Sequence, residues 1–453
     1  MDVPQWAAVT PASAKLRPRN LVFYEVFVRN HSLRGDFAGV EADLPRIRAM
    51  GVDVVSLMPI FPIGRLARKG SRGSPYSVRE FCQIDADYGS AEDLADLIRA
   101  AHGLGLKVIL DVVLNHTALD CPLYLDHPDW YAPRSAEHNT LPEWTDVVPF
   151  DHSNPEVRSY LLSVLEHWAR FGFDGFRCDA ACFLPLEFWL AARRRLDALN
   201  PDLIWLAESA HIGYVAERRA AGLPILSDNE LFQAFDLTYD SESLPIWQSV
   251  LAGRAPLIRY AEMLRLQDGI YPADYVKLRF VENHDQPPLV EVAPSGYAAA
   301  AWTAFQAFNK GAFLIYAGQE CAVRPKTSLF ETAPIQWLKY ELQPFLMSLA
   351  NLKRMDAVQS GTFVVSRASD SLHAAWMSGT GGLYGIFNVC GAVGAREIPL
   401  PDGGYEDVLN GGTVRLQSGR CRAGQPAVIL RYSQPLHFLP FFSDFLDYPP
   451  TVE

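Results

Sequence analysis

Cysteine is sparse and unpatterned in this chain of 453 residues. The seven cysteines are an odd number, and none of them has the Cys-x-x-Cys spacing. A disulfide scaffold and a zinc ribbon are therefore not indicated. We expect mostly reduced thiols that pack in the interior.

Long apolar runs are also missing. No segment is long enough to span a bilayer, and the first residues lack the basic start and continuous apolar core of a secretory signal. The expectation is a cytoplasmic protein that does not associate with membranes.

Positive charge is in short supply. Lysine and arginine number 40 against 52 acidic residues, so the formal net charge is -12. This balance repels phosphate backbones and anionic lipids unless a local basic patch overrides it. The basic stretches at 15–19 and 65–69 are too small for that. We interpret both as solvated loop charges and expect no nucleic-acid partner.

The hydrophobic share of 49% is enough for a large core. Strand-like and helix-like segments alternate over the first three quarters of the chain, which indicates a parallel α/β sheet. Eight strands are predicted, at 22–28, 54–58, 107–113, 175–178, 203–207, 232–237, 276–281 and 312–316. Helical patterns lie between them at 43–50, 91–104, 155–170, 186–199, 257–267 and 297–309. The count and the length fit a closed (β/α)8 TIM barrel.

Two segments interrupt or follow this pattern. The connection 115–154 is long and rich in Pro, His, Trp and Asp, and such loops tend to be functional. Its aromatic residues Trp130 and Trp144 either stack on a ring-shaped ligand or pack the loop down. After residue 356, short alternating strands indicate an antiparallel β domain, with strands at 361–367, 372–378, 382–390, 414–417 and 427–432.

These patterns divide the chain into three parts. The barrel is assigned to 1–114 and 155–355, the excursion after the third strand to 115–154, and a C-terminal β-sandwich domain to 356–453. The apolar, Pro-broken stretch 436–442 is expected to pack back onto a domain.

Three carboxylates stand where predicted strands end: Asp179, Glu208 and Asp285. In a closed barrel they would project from one rim, where such barrels place their chemistry. Any one of them alone would more simply be a helix cap or a surface ion pair. Together they suit glycosidic bond cleavage, which needs a proton donor and a nearby anion for an oxocarbenium-like transition state.

Four ordered motifs carry a specific resemblance. They are DVVLNH at 111–116, GFRCDA at 175–180, AES at 207–209 and ENHD at 282–285. Further matches are FYEVFVR at 23–29, GSPYSV at 73–78 and YAGQE at 316–320. Over residues 20–350 the chain resembles the α-amylase superfamily of retaining glycoside hydrolases, in particular intracellular bacterial α-amylases and maltodextrin hydrolases.

The resemblance implies a role for each acid. Asp179 would be the nucleophile, kept ionised by Arg177 two positions away on the same strand face. Glu208 would be the general acid and base, with a pKa raised toward roughly 6 to 7 by burial beside Trp205 or Leu206. Asp285 would stabilise the transition state.

Further residues would bind the sugar. His116 and His284 would contact hydroxyls in the cleaved subsite, Tyr76 would stack beneath the ring, and Arg177 would also pair with Asp111. The sequence departs from many family members at Cys182 and Phe183, where a Lys-His pair is common. This departure puts in doubt the usual outer-subsite contacts and the nearby calcium site. We expect no metal, although calcium remains an alternative because Asn115 matches a ligand of calcium-dependent members.

The function that the resemblance implies is hydrolysis of α-1,4-glucosidic bonds in maltooligosaccharides or α-glucans. A transglycosylase and an exo-acting α-glucosidase would use the same three acids. A non-catalytic barrel is disfavoured because the acids, Arg177 and both histidines are all present. A metal-dependent hydrolase is disfavoured because the cation Arg177 opposes a bound metal ion. Neither the preferred chain length nor the oligomeric state follows from the sequence.

Overall fold

Eight parallel strands close into a barrel in the computed structural model, which describes residues 18–135, 142–366, 370–379, 381–391 and 394–434. The strands are β1 Val22–Val26, β2 Val54–Leu57, β3 Lys107–Val113, β4 His116–Ala118, β5 Val147–Pro149, β6 Gly175–Asp179, β7 Ile204–Ala207, β8 Leu237–Tyr239, β9 Lys277–Arg279, β10 Ala312–Tyr316, β11 Thr362–Ser366, β12 Leu372–Ser378, β13 Gly381–Phe387, β14 Gly394–Glu397, β15 Gly403–Asp407, β16 Thr413–Leu416, β17 Arg420–Ala423 and β18 Ala427–Tyr432. The barrel order is β1-β10-β9-β8-β7-β6-β3-β2, so the predicted TIM barrel is confirmed.

Helices follow the strands around the barrel. They are α1 Val28–His31, α2 Phe37–Glu41, α3 Leu44–Ala49, α4 Ala91–Gly103, α5 Pro122–Asp126, α6 Pro155–Phe171, α7 Leu186–Asp197, α8 Ile212–Ala220, α9 Asp228–Leu231, α10 Leu244–Leu251, α11 Leu257–Ile270, α12 Leu289–Val292, α13 Gly296–Phe308, α14 Gln343–Lys353 and α15 Asp356–Ser360. The six predicted helices are present, with ends that move by three residues at most. Across the described residues, no helix combines the length and apolar character needed to cross a membrane.

Strand alternation divides the apolar residues between two cores. Phe23 and Leu206 belong to a cluster that fills the barrel, whereas their neighbours Tyr24 and Trp205 belong to the larger cluster between strands and helices. This is the period-two pattern of a strand that is buried on both faces. The position of a residue within its strand therefore decides whether it faces the barrel interior or the helices.

The sixth barrel strand was predicted in the wrong place. The prediction was 232–237, but β8 covers Leu237–Tyr239 and shares only its first residue with that range. A capping box starts α9 here, because the Ser227 side chain and backbone both donate to Glu230. The apolar Phe235 then packs in the outer core instead of entering a strand.

The excursion after β3 contains more regular structure than predicted. Strands β4 and β5 pair in a two-stranded antiparallel sheet, and α5 lies between them in the chain. Trp130 is buried, and its indole N–H donates to Glu156 at 3.1 Å, so this residue packs the segment down. Lys69, predicted as a solvated charge, is half-buried and lies 2.9 Å from the buried carboxylate of Asp146. The prediction for Lys69 is wrong because that carboxylate requires a cation.

The C-terminal part is an antiparallel β domain, as predicted. Six strands are ordered β11-β12-β13-β18-β15-β16, and β14 pairs with β17 in a separate two-stranded antiparallel sheet. One face of the sheet packs on α13, where the Trp376 indole donates to the Phe308 carbonyl at 2.7 Å. The predicted packing of 436–442 lies outside the described residues.

Candidate active site

The alternation that fills the barrel also places polar residues at its carboxyl-end rim. Four interior residues lie on β1, β3, β7 and β8: Phe23, Ile109, Leu206 and Leu237. Two positions further along the same strand face come Glu25, Asp111, Glu208 and Tyr239. On β6 the same face carries Gly175, Arg177 and Asp179 in succession. The rim therefore collects polar groups from at least five strands, four of which contribute charged side chains, and this is where barrels of this type place their sites.

The buried guanidinium of Arg177 is shared by three of these acids. Its Nη1 lies 3.0 Å from Asp111 Oδ1 and 3.0 Å from Asp179 Oδ1. Its Nη2 lies 3.2 Å from Glu208 Oε2. The planar fork of arginine can address separate carboxylates from different nitrogens, which a lysine cannot do. Arg177 thus pairs with Asp111 and with Asp179, as the sequence predicted.

Charge and burial act against each other among these acids. Burial, supported by the charge of Glu208 and opposed by Arg177, raises the pKa of Asp179 well above its usual range in the ligand-free site. Burial likewise raises the pKa of Asp111 to about 6, again with Arg177 opposing the shift. Three acids around one cation therefore favour binding a proton within the cluster.

A backbone contact links Asp179 to Glu208. Ala180 has a left-handed conformation with φ 45°, which is uncommon for a residue other than glycine. In this conformation its N–H donates to Glu208 Oε2 at 2.8 Å. Glu208 is not buried among apolar groups as predicted, because its side chain is 30% exposed and Trp205 points into the outer core.

His284 and Tyr76 form a second cluster beside the arginine. The Tyr76 hydroxyl donates to Asp111 Oδ2 at 2.9 Å and lies 2.8 Å from His284 Nε2. The two rings stack with centroids 5.4 Å apart. His284 Nε2 is also 3.2 Å from Asp285 Oδ2. The third predicted acid is therefore joined to the others through His284 and Tyr76.

The three predicted acids differ in their access to solvent. The exposed fractions of their side chains are 11% for Asp179, 30% for Glu208 and 49% for Asp285. His284 lowers the pKa of Asp285 below its usual range, although burial opposes the shift. Asp285 thus stays ionised more readily than Asp179. The backbone N–H groups of Asp285 and Gln286 donate to Asn283 Oδ1, which fixes the turn.

His116 connects the site to a row of aromatic rings. Its Nε2 lies 3.2 Å from the Tyr76 carbonyl, and its ring centroid is 5.1 Å from that of the half-buried Trp144. Trp144 in turn lies 6.3 Å from Phe183, and Phe183 lies 6.4 Å from Tyr214. Burial lowers the pKa of His116 to about 4, so the imidazole is neutral near neutral pH. Trp144 is thus next to a predicted site residue, unlike Trp130.

Asn115, the residue that raised calcium as an alternative, lies near a buried ion pair. The carboxylate of Asp146, on the same excursion, is paired with Lys69 at 2.9 Å. Asn115 Nδ2 lies 3.3 Å from His116 Nδ1. Calcium takes six to eight oxygen ligands, which can be carboxylates, carbonyl oxygens and waters. Within the described ranges, no group of three or more His, Cys, Asp or Glu side chains is arranged to hold a metal.

Sequence reasoning missed Glu25 and Tyr239 as members of the site. Glu25 accepts hydrogen bonds from the His284 N–H and from the Tyr239 hydroxyl. A signal for Glu25 was present, because it lies two positions after an interior residue on β1. Tyr239 had no such signal, since β8 was predicted too early in the chain.

Comparisons with known proteins extend these observations. Residues 21–148 match the family described as "Alpha amylase, catalytic domain", and residues 363–430 match "Bacterial Alpha amylase C-terminal domain". The solved structure of an α-amylase from Lactobacillus plantarum is 35% identical, with a TM-score of 0.87 over 92% of this chain and 99% of that chain.

Two curated relatives are longer than this chain. An α-amylase of Haloarcula japonica is 30% identical over 334 residues, which are 70% of this chain and 46% of the relative. An α-1,4-glucan:maltose-1-phosphate maltosyltransferase of Mycobacterium tuberculosis is 29% identical over 242 residues, covering 47% of this chain and 34% of that protein. The chain thus spans less than half the length of either relative.

Proposed function

Because the chain belongs to the α-amylase family of glycoside hydrolases, we propose that it hydrolyses α-1,4-glucosidic bonds in maltooligosaccharides or α-glucans with retention of configuration. The observation that carries the proposal is the contact of one buried arginine, Arg177, with Asp111, Asp179 and Glu208. Asp179 and Glu208 bind neighbouring nitrogens of one guanidinium. This proximity suits the ~5 Å carboxyl separation of retaining enzymes better than the wider spacing of inverting ones.

In the proposed first step, Asp179 attacks the anomeric carbon and the bond to the leaving oxygen breaks. The carboxylate must be ionised, and its contact with Arg177 favours that form once substrate displaces water. Glu208 donates a proton to the leaving oxygen. Both of its contacts described above use Oε2, so Oε1 is the oxygen suited to carry this proton.

In the second step, Glu208 accepts a proton from water, which attacks the glycosyl ester of Asp179 and releases the sugar. Asp285 favours the positive charge that develops at the ring in both transition states. The proposed sugar-binding residues are Tyr76, His116, Arg177 and His284. None of these steps requires a metal ion.

Transfer to a sugar hydroxyl is the alternative outcome of the same intermediate. It is supported by the similarity to the maltosyltransferase, whereas the similarity to the Lactobacillus plantarum α-amylase over 92% of this chain supports hydrolysis. The decision depends on whether water or a sugar reaches the glycosyl ester. An α-glucosidase that attacks chain ends remains a variant of the hydrolytic proposal.

A time course on maltoheptaose tests the proposal. Mixed shorter products indicate internal attack, glucose or maltose alone indicates terminal attack, and products longer than the substrate indicate transfer. Proton NMR of the first products should show the α-anomer before mutarotation. Asp179→Ala should abolish turnover while circular dichroism stays unchanged. Near-normal turnover by this variant, or β-anomer as the first product, would overturn the proposal.

A cytoplasmic location is part of the proposal. All seven cysteines are free thiols, and four of them are buried. Free thiols are usual in a reducing compartment. There the substrates would be maltodextrins of modest length.

A further inference from the structure

We propose that Glu25 is a positioning residue that holds His284 as an imidazolium directed at Asp285. The carboxylate lies at the end of β1, across the barrel rim from Arg177, and is 3% exposed. Its Oε1 is 2.8 Å from His284 Nδ1 and accepts the His284 backbone N–H at 3.0 Å. Its Oε2 accepts the Tyr239 hydroxyl at 3.2 Å. The two defined donors, the His284 backbone N–H and the Tyr239 hydroxyl, favour the ionised form of this carboxylate.

Counting hydrogens on the imidazole gives its charge. Nδ1 faces the ionised Glu25 and must therefore carry a proton. Nε2 lies 2.8 Å from the Tyr76 oxygen and 3.2 Å from Asp285 Oδ2. The single hydroxyl hydrogen of Tyr76 is directed to Asp111 Oδ2 at 2.9 Å, so the Tyr76 oxygen acts as an acceptor toward His284. Nε2 then carries a proton as well, and the ring is positively charged.

The neutral alternative would leave a repulsive contact. If Nε2 had no proton, Tyr76 would have to donate to it, and Asp111 would have to donate a proton to Tyr76. The lone pair of Nε2 would then face the exposed carboxylate of Asp285 at 3.2 Å. Two acceptors at that distance repel each other, whereas an N–H between them forms a charge-assisted hydrogen bond.

Charged and titratable groups from several strands surround the ring, and Tyr316 on β10 also interacts with Glu25 and Asp285. They are Glu25 from β1, Tyr76 from the loop after β2, Asp111 from β3, Arg177 from β6, Tyr239 from β8, Asp285 next in sequence, and Lys326 after β10. Burial disfavours the charged ring, but Asp285 and Glu25 together raise the pKa of His284 well above its usual range. Glu25 is the buried member of that pair of acids.

The proposal explains how a half-exposed acid is kept in place. Asp285 is held by Nε2–H of His284, and the positive charge of that ring depends on the Glu25 carboxylate on its other side. As far as activity is concerned, this inference rests on the function proposed above. The protonation state of His284 does not, because it can be measured without substrate.

Nitrogen-15 NMR of the histidine-labelled full chain tests the proposal. The 11 histidines give a tractable spectrum, and the His284 signals are those lost in His284→Gln. We expect both ring nitrogens of His284 to be protonated at about pH 8, well above the ordinary histidine pKa of about 6.5. Glu25→Gln keeps an acceptor for Nδ1 but removes the charge, so the titration midpoint should fall by at least about one pH unit.

Tyr239→Phe is the matched control. It removes a neutral donor from Glu25 but leaves the carboxylate, so the His284 midpoint should move by less than half the Glu25→Gln shift. A neutral His284 in the unmodified protein near pH 7 would overturn the proposal, and that measurement requires no variant to fold. An unchanged midpoint in folded Glu25→Gln would overturn it too. Persisting turnover in Asp179→Ala would instead refute the proposed function and leave the His284 result standing.

Discussion

Replacing Arg177 by methionine should move the acidic limb of the pH profile to higher pH. The guanidinium is the cation that contacts Asp179, through Nη1 at 3.0 Å. It opposes the effect of burial, which raises the pKa of this acid. Without it the pKa rises further, so the ionised nucleophile is available only at higher pH.

The size of the shift follows from the contact. Unit charges ~4 Å apart at an effective dielectric constant of ~20 interact by about 4 kcal/mol. Because water enters an open rim, we take about half of this, which corresponds to roughly 1.5 pKa units. Three acids would also lose their partner, and removal of one member of a buried pair costs about 3–5 kcal/mol of stability. The measurements must therefore be made well below the melting temperature.

The assay is the pH dependence of kcat/KM on a chromogenic maltooligosaccharide, because its limbs report the free enzyme. Arg177→Lys is the matched control. It keeps the charge but offers one nitrogen in place of two, so its acidic limb should stay near that of the unmodified protein while kcat falls. If folded Arg177→Met has an acidic limb within about 0.3 units of the original, the electrostatic account of Asp179 is wrong.

Three further predictions concern the surroundings of the site. Trp144→Ala should raise KM for long maltooligosaccharides by about 2- to 13-fold, which corresponds to the free energy of one aromatic contact, and equal KM values at every chain length would contradict this. Burial lowers the pKa of His152 to about 4, so the unfolded chain takes up its proton first as pH falls. The free energy of unfolding, measured with urea, should therefore fall from pH 6.5 to pH 4, and His152→Leu should flatten this slope, whereas an unchanged slope would refute the assignment. Finally, a chelator should leave activity and Tm unchanged, because Lys69 pairs with the Asp146 carboxylate. A large drop in either would contradict the expectation that the protein needs no calcium.

The sequence predicted the parts of the molecule in which local pattern and fold agree. Seven barrel strands lie where alternating apolar runs indicated them, and β3 has the predicted ends. The remaining strand, sixth in the barrel, was predicted too early, because the apolar residues before Leu237 follow the helix α9, which begins at the capping box of Ser227 and Glu230. Periodicity alone cannot separate a short buried strand from a buried turn.

The sequence predicted several of the polar residues that meet at the rim, but it did not predict how they contact one another. Motif order identified Asp179, Glu208 and Asp285, yet it could not show that Ala180 adopts a positive φ and binds Glu208. The link from Glu25 to His284 joins residues 259 positions apart. Only the closed barrel brings them together, so no local pattern could reveal this contact.

The turn at Ala180 connects the backbone that binds Glu208 to the row of aromatic rings. Its main-chain N–H donates to Glu208, and the chain continues directly through Cys182 to Phe183, which is a member of the aromatic row. A substitution at Phe183 that changes the aromatic row would also shift the nearby backbone that holds Glu208, the proposed proton donor. If the proposed function holds, we therefore expect substitutions at Phe183 to affect turnover as well as substrate binding, because Phe183 lies three residues after Ala180 whereas Trp144 is on a different segment.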